Sequence, residues 1–309
     1  MKTVISGGLG FVGGRLSKYL VEQGHHVVAY SRQAGALPDI KCPENMHIAH
    51  PDDKDQLNGA DVFIHLAALD ENDCVKYPFK AIDVNITQTL DWLEHTHHAG
   101  IKKFIYFSTA HVYGKPLEGH YDENSITRPV HPYAITHKCA EDYVLAYAAE
   151  KGMTNTVIRL TNSFGGAAFP TANRWTLLVS DLSRSAVNTG KMTLLSDGMQ
   201  LRDFVCLHDV CAATLHLMNL PENKITGEIF NLGGGQAVTV WDMALKVKHL
   251  AEEVLKKPID LSRKTSSGSG KGQQLNISIE KLTNTGFALT NDTGAEIKST
   301  LRYFMNYTA

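Results

Sequence analysis

The residues with the most chemistry in their spacing stand at the start of the chain. Thr3-Val4-Ile5-Ser6 reads as a short apolar strand that runs straight into Gly7-Gly8-Leu9-Gly10-Phe11-Val12-Gly13. Gly8, Gly10 and Gly13 have the spacing G-x-G-x-x-G, and Gly7, Gly10 and Gly13 that of G-x-x-G-x-x-G. A helix with apolar Leu16, Leu20 and Val21 follows. In either register the glycines permit a tight turn and a close backbone approach to a pyrophosphate. The helix N-terminus then points free N–H groups and the positive end of its dipole at the phosphates. A glycine-rich strand–helix turn can be purely structural. Its place between a first strand and an amphipathic helix favours cofactor binding, with Gly7, Gly10, Phe11, Val12 and Gly13 at the dinucleotide.

Such a turn needs a sheet to carry it. Short apolar runs at 26–30, 46–49, 61–66, 104–107 and 156–160 alternate with segments of helical period, notably 81–97 and 133–151. That alternation predicts an α/β fold: a Rossmann-type, doubly wound parallel sheet with helices on both faces. Residues 204–207, followed by a helix over 208–219, read as one more strand–helix unit. Residues 164–202 lack this rhythm and are rich in Gly, Ser, Thr and Asn, which predicts a smaller C-terminal substrate lobe. Residues 262–274 are polar and read as a loop, and 295–307 as a closing helix. The expected division is 1–163 with 204–240 for the dinucleotide domain, and 164–203 with 241–309 for the substrate lobe.

Composition narrows the classes. A chain of 309 residues with a net charge of −2 offers no footprint for nucleic acid. No apolar run approaches the roughly 20 residues that span a bilayer, so no membrane partner is expected. A strand at the very N-terminus leaves no signal peptide, which points to the cytoplasm. Cys42, Cys74, Cys139, Cys206 and Cys211 are odd in number and lack C-x-x-C spacing, as befits free thiols. His95, His97 and His98 cluster at a predicted helix end and read as solvated charge; no metal is expected.

Several separated motifs now agree, and the chain resembles the extended short-chain dehydrogenase/reductases, the group that holds nucleotide-sugar epimerases, dehydratases and ketoreductases. The resemblance covers nearly the whole chain. Ser6-Gly-Gly-Leu-Gly-Phe-Val-Gly13 is similar to the family's cofactor turn, and His65-Leu66-Ala67-Ala68 to its strand end beside the cofactor. Asn85 matches the family's helix asparagine. Ser108-Thr-Ala-His-Val-Tyr-Gly114 resembles the active-site strand S-S/T-x-x-V-Y-G, and 132–138 the Y-x-x-x-K region. Arg159-Leu-Thr-Asn-Ser-Phe-Gly165, Gln200-Leu-Arg-Asp-Phe204 and Phe230-Asn-Leu-Gly-Gly234 follow in the family's order.

The resemblance implies an NAD(P)-dependent enzyme in which Tyr133 is the base for a sugar hydroxyl and Thr109 orients the same oxygen. A phenol can act so if its pKa, ordinarily about 10, is lowered by nearby positive charge. The family places a lysine four residues after the tyrosine, one helical turn away on the same face. Here His137 holds that position. Lys138, a residue later, is rotated by about 140° from Tyr133 and reaches back only by its long side chain. His137 is placed to meet the nicotinamide ribose, though an imidazole is not permanently charged. Cofactor contacts are implied for Leu66, Ala67, Ala68, Asn85, Tyr133 and His137.

Three further departures refine the reaction. Dehydratases of the family carry an acidic pair after the threonine; Ala110 and His111 stand there, and alanine cannot protonate a leaving group. The second strand ordinarily ends in an acid that holds the 2′-hydroxyl of NAD. Ser31 takes that place and Arg32 follows, leaving room and charge for the 2′-phosphate of NADP; an Arg32 that stacks on the adenine of NAD or faces solvent is the alternative. His50 stands where an adenine-contacting Asp is usual, while Asp53 keeps its place. Asn162 and Arg202 match positions that meet a nucleotide diphosphate, to which an arginine fork is suited; an ion pair with Asp203 or Asp209 is the alternative use of Arg202. Residues 164–175 and 70–79 are expected to line the sugar and base pockets. The implied function is a nucleotide-sugar epimerase, a homodimer, working by transient hydride abstraction and return at a sugar carbon. An NADPH-dependent ketoreductase of a nucleotide 4-keto-6-deoxy sugar and a non-catalytic cofactor-binding protein are the alternatives.

Overall fold

Residues 1–35, 42–264 and 274–307 are described by a computed structural model. The first half alternates as its apolar periodicity predicts: β1 (Lys2–Ser6), α1 (Phe11–Glu22), β2 (His26–Tyr30), β3 (Met46–Ala49) and β4 (Val62–His65). There follow α2 (Glu71–Lys76), α3 (Pro78–Ile82), a widened π turn at Asp83–Thr87, α4 (Gln88–His98) and β5 (Lys103–Thr109). Next come β6 (Gly119–Tyr121), α5 (Pro132–Lys151), β7 (Thr154–Leu160) and β8 (Asn162–Phe164). The second half runs α6 (Leu178–Thr189), β9 (Lys191–Leu194), β10 (Leu201–Cys206), α7 (Leu207–Asn219), β11 (Glu228–Leu232), β12 (Ala237–Thr239) and α8 (Val240–Leu255). It ends with β13 (Asp260–Arg263), β14 (Leu275–Ile277), α9 (Glu280–Thr283) and α10 (Thr293–Tyr307).

The described residues build a seven-stranded parallel sheet of order β3-β2-β1-β4-β5-β7-β11. Its strands are buried almost continuously, as a sheet covered on both faces requires. Neighbouring side chains point to opposite layers. Ile5, Val27, Ile64 and Ile105 pack with Leu16, Leu20, Val210 and Leu217 of α1 and α7. Val4, Val28, Phe63 and Phe104 pack with Trp92, Leu93, Ala140 and Val144 of α4 and α5. Strand order reverses between β1 and β4, and the carboxyl ends of β1, β4, β5 and β7 open on one crevice, where doubly wound sheets bind their ligands.

A second core lies beside the sheet, formed by Phe164, Val179, Leu182, Met192, Phe204, Met243, Val247 and Leu301. Here the structure departs from the sequence reading. The stretch 164–202, read as without rhythm, contains the helix α6. Its apolar positions Val179, Leu182 and Ala186 keep helical spacing, but Ser, Asn and Thr between them mask it. The polar stretch 262–274 begins as the end of β13, and residues 265–273 of it lie outside the described residues. Leu282 and Phe287, from the expected substrate segment, pack into the sheet's own core.

The helix that carries Tyr133 and His137 is clamped to the sheet by a buried ion pair. Arg159 of β7 donates to both carboxylate oxygens of Glu141 on α5, from Nη2 at 2.9 Å and Nε at 3.1 Å, and from Nη1 to the Tyr113 hydroxyl at 3.0 Å. Both charged side chains are at most 3% exposed. The start of α5 is fixed by Pro132 in its first turn and by His131, whose Nδ1 accepts from the Tyr133 N–H. Breaking such a pair leaves one charge buried alone. Arg159→Ala should therefore cost about 3–5 kcal/mol of unfolding free energy in urea titration, whereas an Arg159→Met, Glu141→Leu double variant should recover most of it. Equal losses in both would show that the pair does not clamp the helix.

Candidate active site

A cleft of about 500 Å³ opens over the carboxyl ends of the strands. One end is walled by Gly7, Gly10, Phe11, Val12, Gly13, Ser31, Arg32, Leu66, Ala67 and Ala68. The other is walled by Thr109, Tyr133, His137 and Asn162. These residues, all named from the sequence, are part of a longer lining that also includes Ser6, Val84, Gln88 and Leu177.

The glycine turn has stereochemical reasons for its composition. Gly7 sits at φ +70°, in the left-handed region. A Cβ on Gly13 would lie 2.2 Å from the Gly7 carbonyl oxygen, so nothing larger than glycine fits where α1 crosses the turn. Gly10 caps α1 without a side chain, and the first turn holds no acidic residue. The N–H groups of that turn and the positive helix end face the cleft free of protein anions. Behind the turn, Ser6 accepts from the N–H groups of Leu66 and Ala67 and donates to His65 Nδ1 at 2.5 Å. His65 Nε2 in turn meets Thr89 at 2.9 Å.

At the other end, Thr109 closes β5 and its Oγ1 accepts from the His111 N–H at 3.2 Å. The Tyr133 ring meets the His137 ring edge-on, with centroids 4.4 Å apart. Burial raises the Tyr133 phenol well above its ordinary pKa, and the Glu71 carboxylate adds to this; Arg174 and the hydrogen bond with Thr109 pull it down. His137 is 3% exposed, and burial lowers its pKa to about 4. Its Nδ1 lies 2.8 Å from the Tyr106 hydroxyl. Lys138 turns away to pair with Asp142 on the outer face of α5, as its rotation around the helix dictates. The fixed positive charge expected beside the phenol is therefore absent, and the histidine in its place is neutral.

Two expected residues are not brought to the cleft wall. Asn85, on the widened turn, is 1% exposed and spends its amide inside the protein. Its Oδ1 accepts from the Leu69 N–H at 2.8 Å and its Nδ2 donates to Thr136 at 2.9 Å. These bonds tie the strand-end loop to the first turn of α5. Arg202 is exposed on β10, outside the wall but within electrostatic reach of Glu71 and His111. It pairs with neither candidate acid: Asp203 bonds Thr161 and the Gly234 N–H, and Asp209 bonds Thr290 and Asn291. Asn162 donates to the Asp203 carbonyl at 2.8 Å. His50 faces Asp52, and Pro51 takes the wall position beside it.

The substrate end holds groups the sequence reading did not single out. Arg174 bridges the cleft to Asp70 at 3.1 Å and Glu71 at 3.2 Å. From 70–79 only Asp70 and Glu71 reach the wall, while Phe79 is 87% exposed. From 164–175, Thr171, Ala172, Asn173 and Arg174 do, whereas Trp175 packs on Tyr303 and Phe304. Their signal was the loop position alone. His95 and His98 bond carbonyls one turn back on α4. Among the described residues no helix is long and apolar enough to cross a membrane.

The residues present fit a dinucleotide. The cradle before α1 admits a phosphate against bare backbone, and two buried atoms of wall residues, Ser108 Oγ and His137 Nε2, have no hydrogen-bond partner among the described residues. Comparison with known proteins agrees. The model of the NAD dependent epimerase/dehydratase family matches residues 3–233, and the chain belongs to this family. A UDP-glucuronate 4-epimerase of Thermodesulfobacterium geofontis is 26% identical over 75% of each chain. A human dTDP-D-glucose 4,6-dehydratase is 26% identical over 82% of this chain and 74% of its own. The crystal structure of UDP-glucuronic acid 4-epimerase from Bacillus cereus, with UDP-glucuronic acid and NAD, superposes with a TM-score of 0.81 at 23% identity, over 99% of both chains.

Two buried imidazoles make the free protein sensitive to acid. Burial holds His65 to a pKa of about 3 and His137 to about 4, against 6.5 for an ordinary histidine. Both are depressed, so the stability they contribute is whole above pH 6.5 and drains away as pH falls towards 4 and below. For His137 the loss is on the order of 3 kcal/mol. Urea titrations between pH 7 and pH 4 should show His137→Gln with a shallower decline than the parent; parallel declines would mean the imidazole is not buried neutral.

Proposed function

We propose that this chain is a nucleotide-sugar epimerase that oxidises a sugar carbon transiently and restores it with the opposite configuration. The observation that carries this reading is the convergence of Thr109 and Tyr133 at the far end of the dinucleotide cleft. Tyr133, once ionised, takes the proton of the sugar hydroxyl, and Thr109 hydrogen-bonds the same oxygen and fixes its direction. The nicotinamide, when bound, accepts the carbon's hydride and returns it. Tyr133 then gives its proton back to the alkoxide formed on the other face. Ala110, buried beside Thr109, has no proton to lend a leaving hydroxyl, which disfavours the 4,6-dehydration named for one relative. Asn162 and Arg202 are assigned to the nucleotide diphosphate, which fits an arginine that makes no ion pair among the described residues. The relatives that act on UDP-sugars support a uridine nucleotide.

Because His137 is neutral, Tyr133 ionises late and oxidation of the sugar should quicken with rising pH. Interconversion of UDP-glucose and UDP-galactose, followed by proton NMR, tests the reading. Tyr133→Phe should abolish it while cofactor affinity stays within about twofold. His137→Lys should move the rate profile to lower pH by supplying the charge the site lacks. If Lys138→Ala moves the profile and the His137 variants do not, the positive role lies with Lys138.

The cofactor's 2′-position is the finer question. Ser31 and Arg32 line the cleft, and no carboxylate occupies the Ser31 position. This observation favours NADP(H) binding at least as tightly as NAD(H), and it keeps the NADPH-dependent ketoreductase as the second reading. Titration calorimetry should find Arg32→Ala weakened towards NADP(H) alone. A tenfold preference of the parent for NAD(H), about 1.4 kcal/mol, would overturn the NADP(H) assignment. The exposed Tyr77, Phe79 and Ile82 suit a contact between two copies, and light scattering decides between one copy and two.

A further inference from the structure

Tyr106 stands in the middle of β5, 2% exposed and outside the cleft wall. Its hydroxyl makes one hydrogen bond among the described residues, to His137 Nδ1 at 2.8 Å. The other nitrogen of that ring, Nε2, is buried and has no partner among the described residues, and the ring lines the cleft. The two tautomers of the imidazole are not equivalent here. If Nδ1 carries the proton, it donates to the Tyr106 oxygen, and the buried phenolic O–H is left with no acceptor. Leaving a buried donor unmade is costly. If Nε2 carries the proton, Tyr106 donates to Nδ1, and the Nε2–H of a ring that lines the cleft is the single group left without a partner among the described residues; the other tautomer leaves two, the phenolic O–H and the bare Nε2. Burial keeps the phenol far above its ordinary pKa, so Tyr106 remains a donor.

We propose that Tyr106 is a positioning residue that fixes His137 as its Nε2–H tautomer, so that the ring offers the bound dinucleotide a neutral hydrogen-bond donor directed at a hydroxyl oxygen. Tyr106 touches neither cofactor nor sugar; it acts through the ring it holds. The edge-on contact with Tyr133 then sets the ring plane, and the bond from Tyr106 sets which nitrogen is the donor. The inference rests on the dinucleotide reading only for the identity of the acceptor, since the tautomer is a property of the free protein.

Nitrogen-15 NMR of histidine-labelled protein near pH 7.5 tests it, with His137 signals assigned by loss in His137→Gln. The parent without ligand should show Nδ1 in the range of a bare, hydrogen-bonded nitrogen and Nε2 in that of a protonated one; the reverse assignment overturns the proposal. Adding NAD should shift the Nε2 signal, and Tyr106→Phe should move both nitrogens towards an average of tautomers and weaken NAD binding by about tenfold. If Tyr106→Phe folds and leaves shifts and affinity unchanged, Tyr106 does not position the ring. If it does not fold, the tautomer read in the parent decides. Failure of NAD to bind, with the Nε2–H tautomer present, would strike the cofactor reading and spare this one.

Discussion

A single line of buried hydrogen bonds holds the two ends of the cleft in one frame. Ser6, at the end of β1, donates to His65 Nδ1; His65 Nε2 donates to Thr89; Thr89 donates to the Asn85 carbonyl at 2.8 Å. The Asn85 amide donates to Thr136, which donates back to the Tyr133 carbonyl at 3.0 Å. Each donor in the line has its acceptor, so none of these polar groups is stranded in the interior. The glycine turn and the first turn of α5 come from distant parts of the sequence, and this line couples their positions. It also explains the widened turn at Asp83–Thr87, which swings the Asn85 amide inward to Leu69 and Thr136.

The line has an electrostatic consequence. It runs through low-dielectric interior, where a charged imidazole is disfavoured, so His65 is held neutral; the same burial holds His137, outside the line, neutral as well. The positive charges of the region are spent elsewhere. Arg159 is committed to Glu141, Lys138 to Asp142, and Arg174 to Asp70 and Glu71. At Tyr133 burial and the Glu71 carboxylate outweigh Arg174 and the Thr109 hydrogen bond and oppose ionisation. The site is built to hold a proton tightly rather than to shed it, which suits a reaction that gives its proton back.

The second core serves the cleft from the other side. Its elements carry β8 and β10, and with them Asn162 and Arg202, while the loop before α6 brings Arg174 across to the acids that begin α2. Sheet and second core thereby close on the same opening, each contributing one wall.

Much of this was legible in the residues themselves. The glycine spacing, the apolar strands and the four-residue step from Tyr133 to His137 are local patterns, set by backbone sterics and helical period, and they place the glycine turn and the paired rings without reference to the rest of the chain. The helix α6 escaped because its apolar positions are separated by residues with weak helical preference, and its burial against α8 and α10 overrides that preference. Which side chains meet across the chain was decided only by the tertiary structure. Tyr106 and His137 are 31 positions apart, Asn85 and Thr136 are 51, and their contacts depend on how the crossover helices settle on the sheet. The same is true of charge. Sequence places a histidine beside the tyrosine, but its ionisation is set by how much water the surrounding fold removes, and here the fold removes enough to leave it neutral.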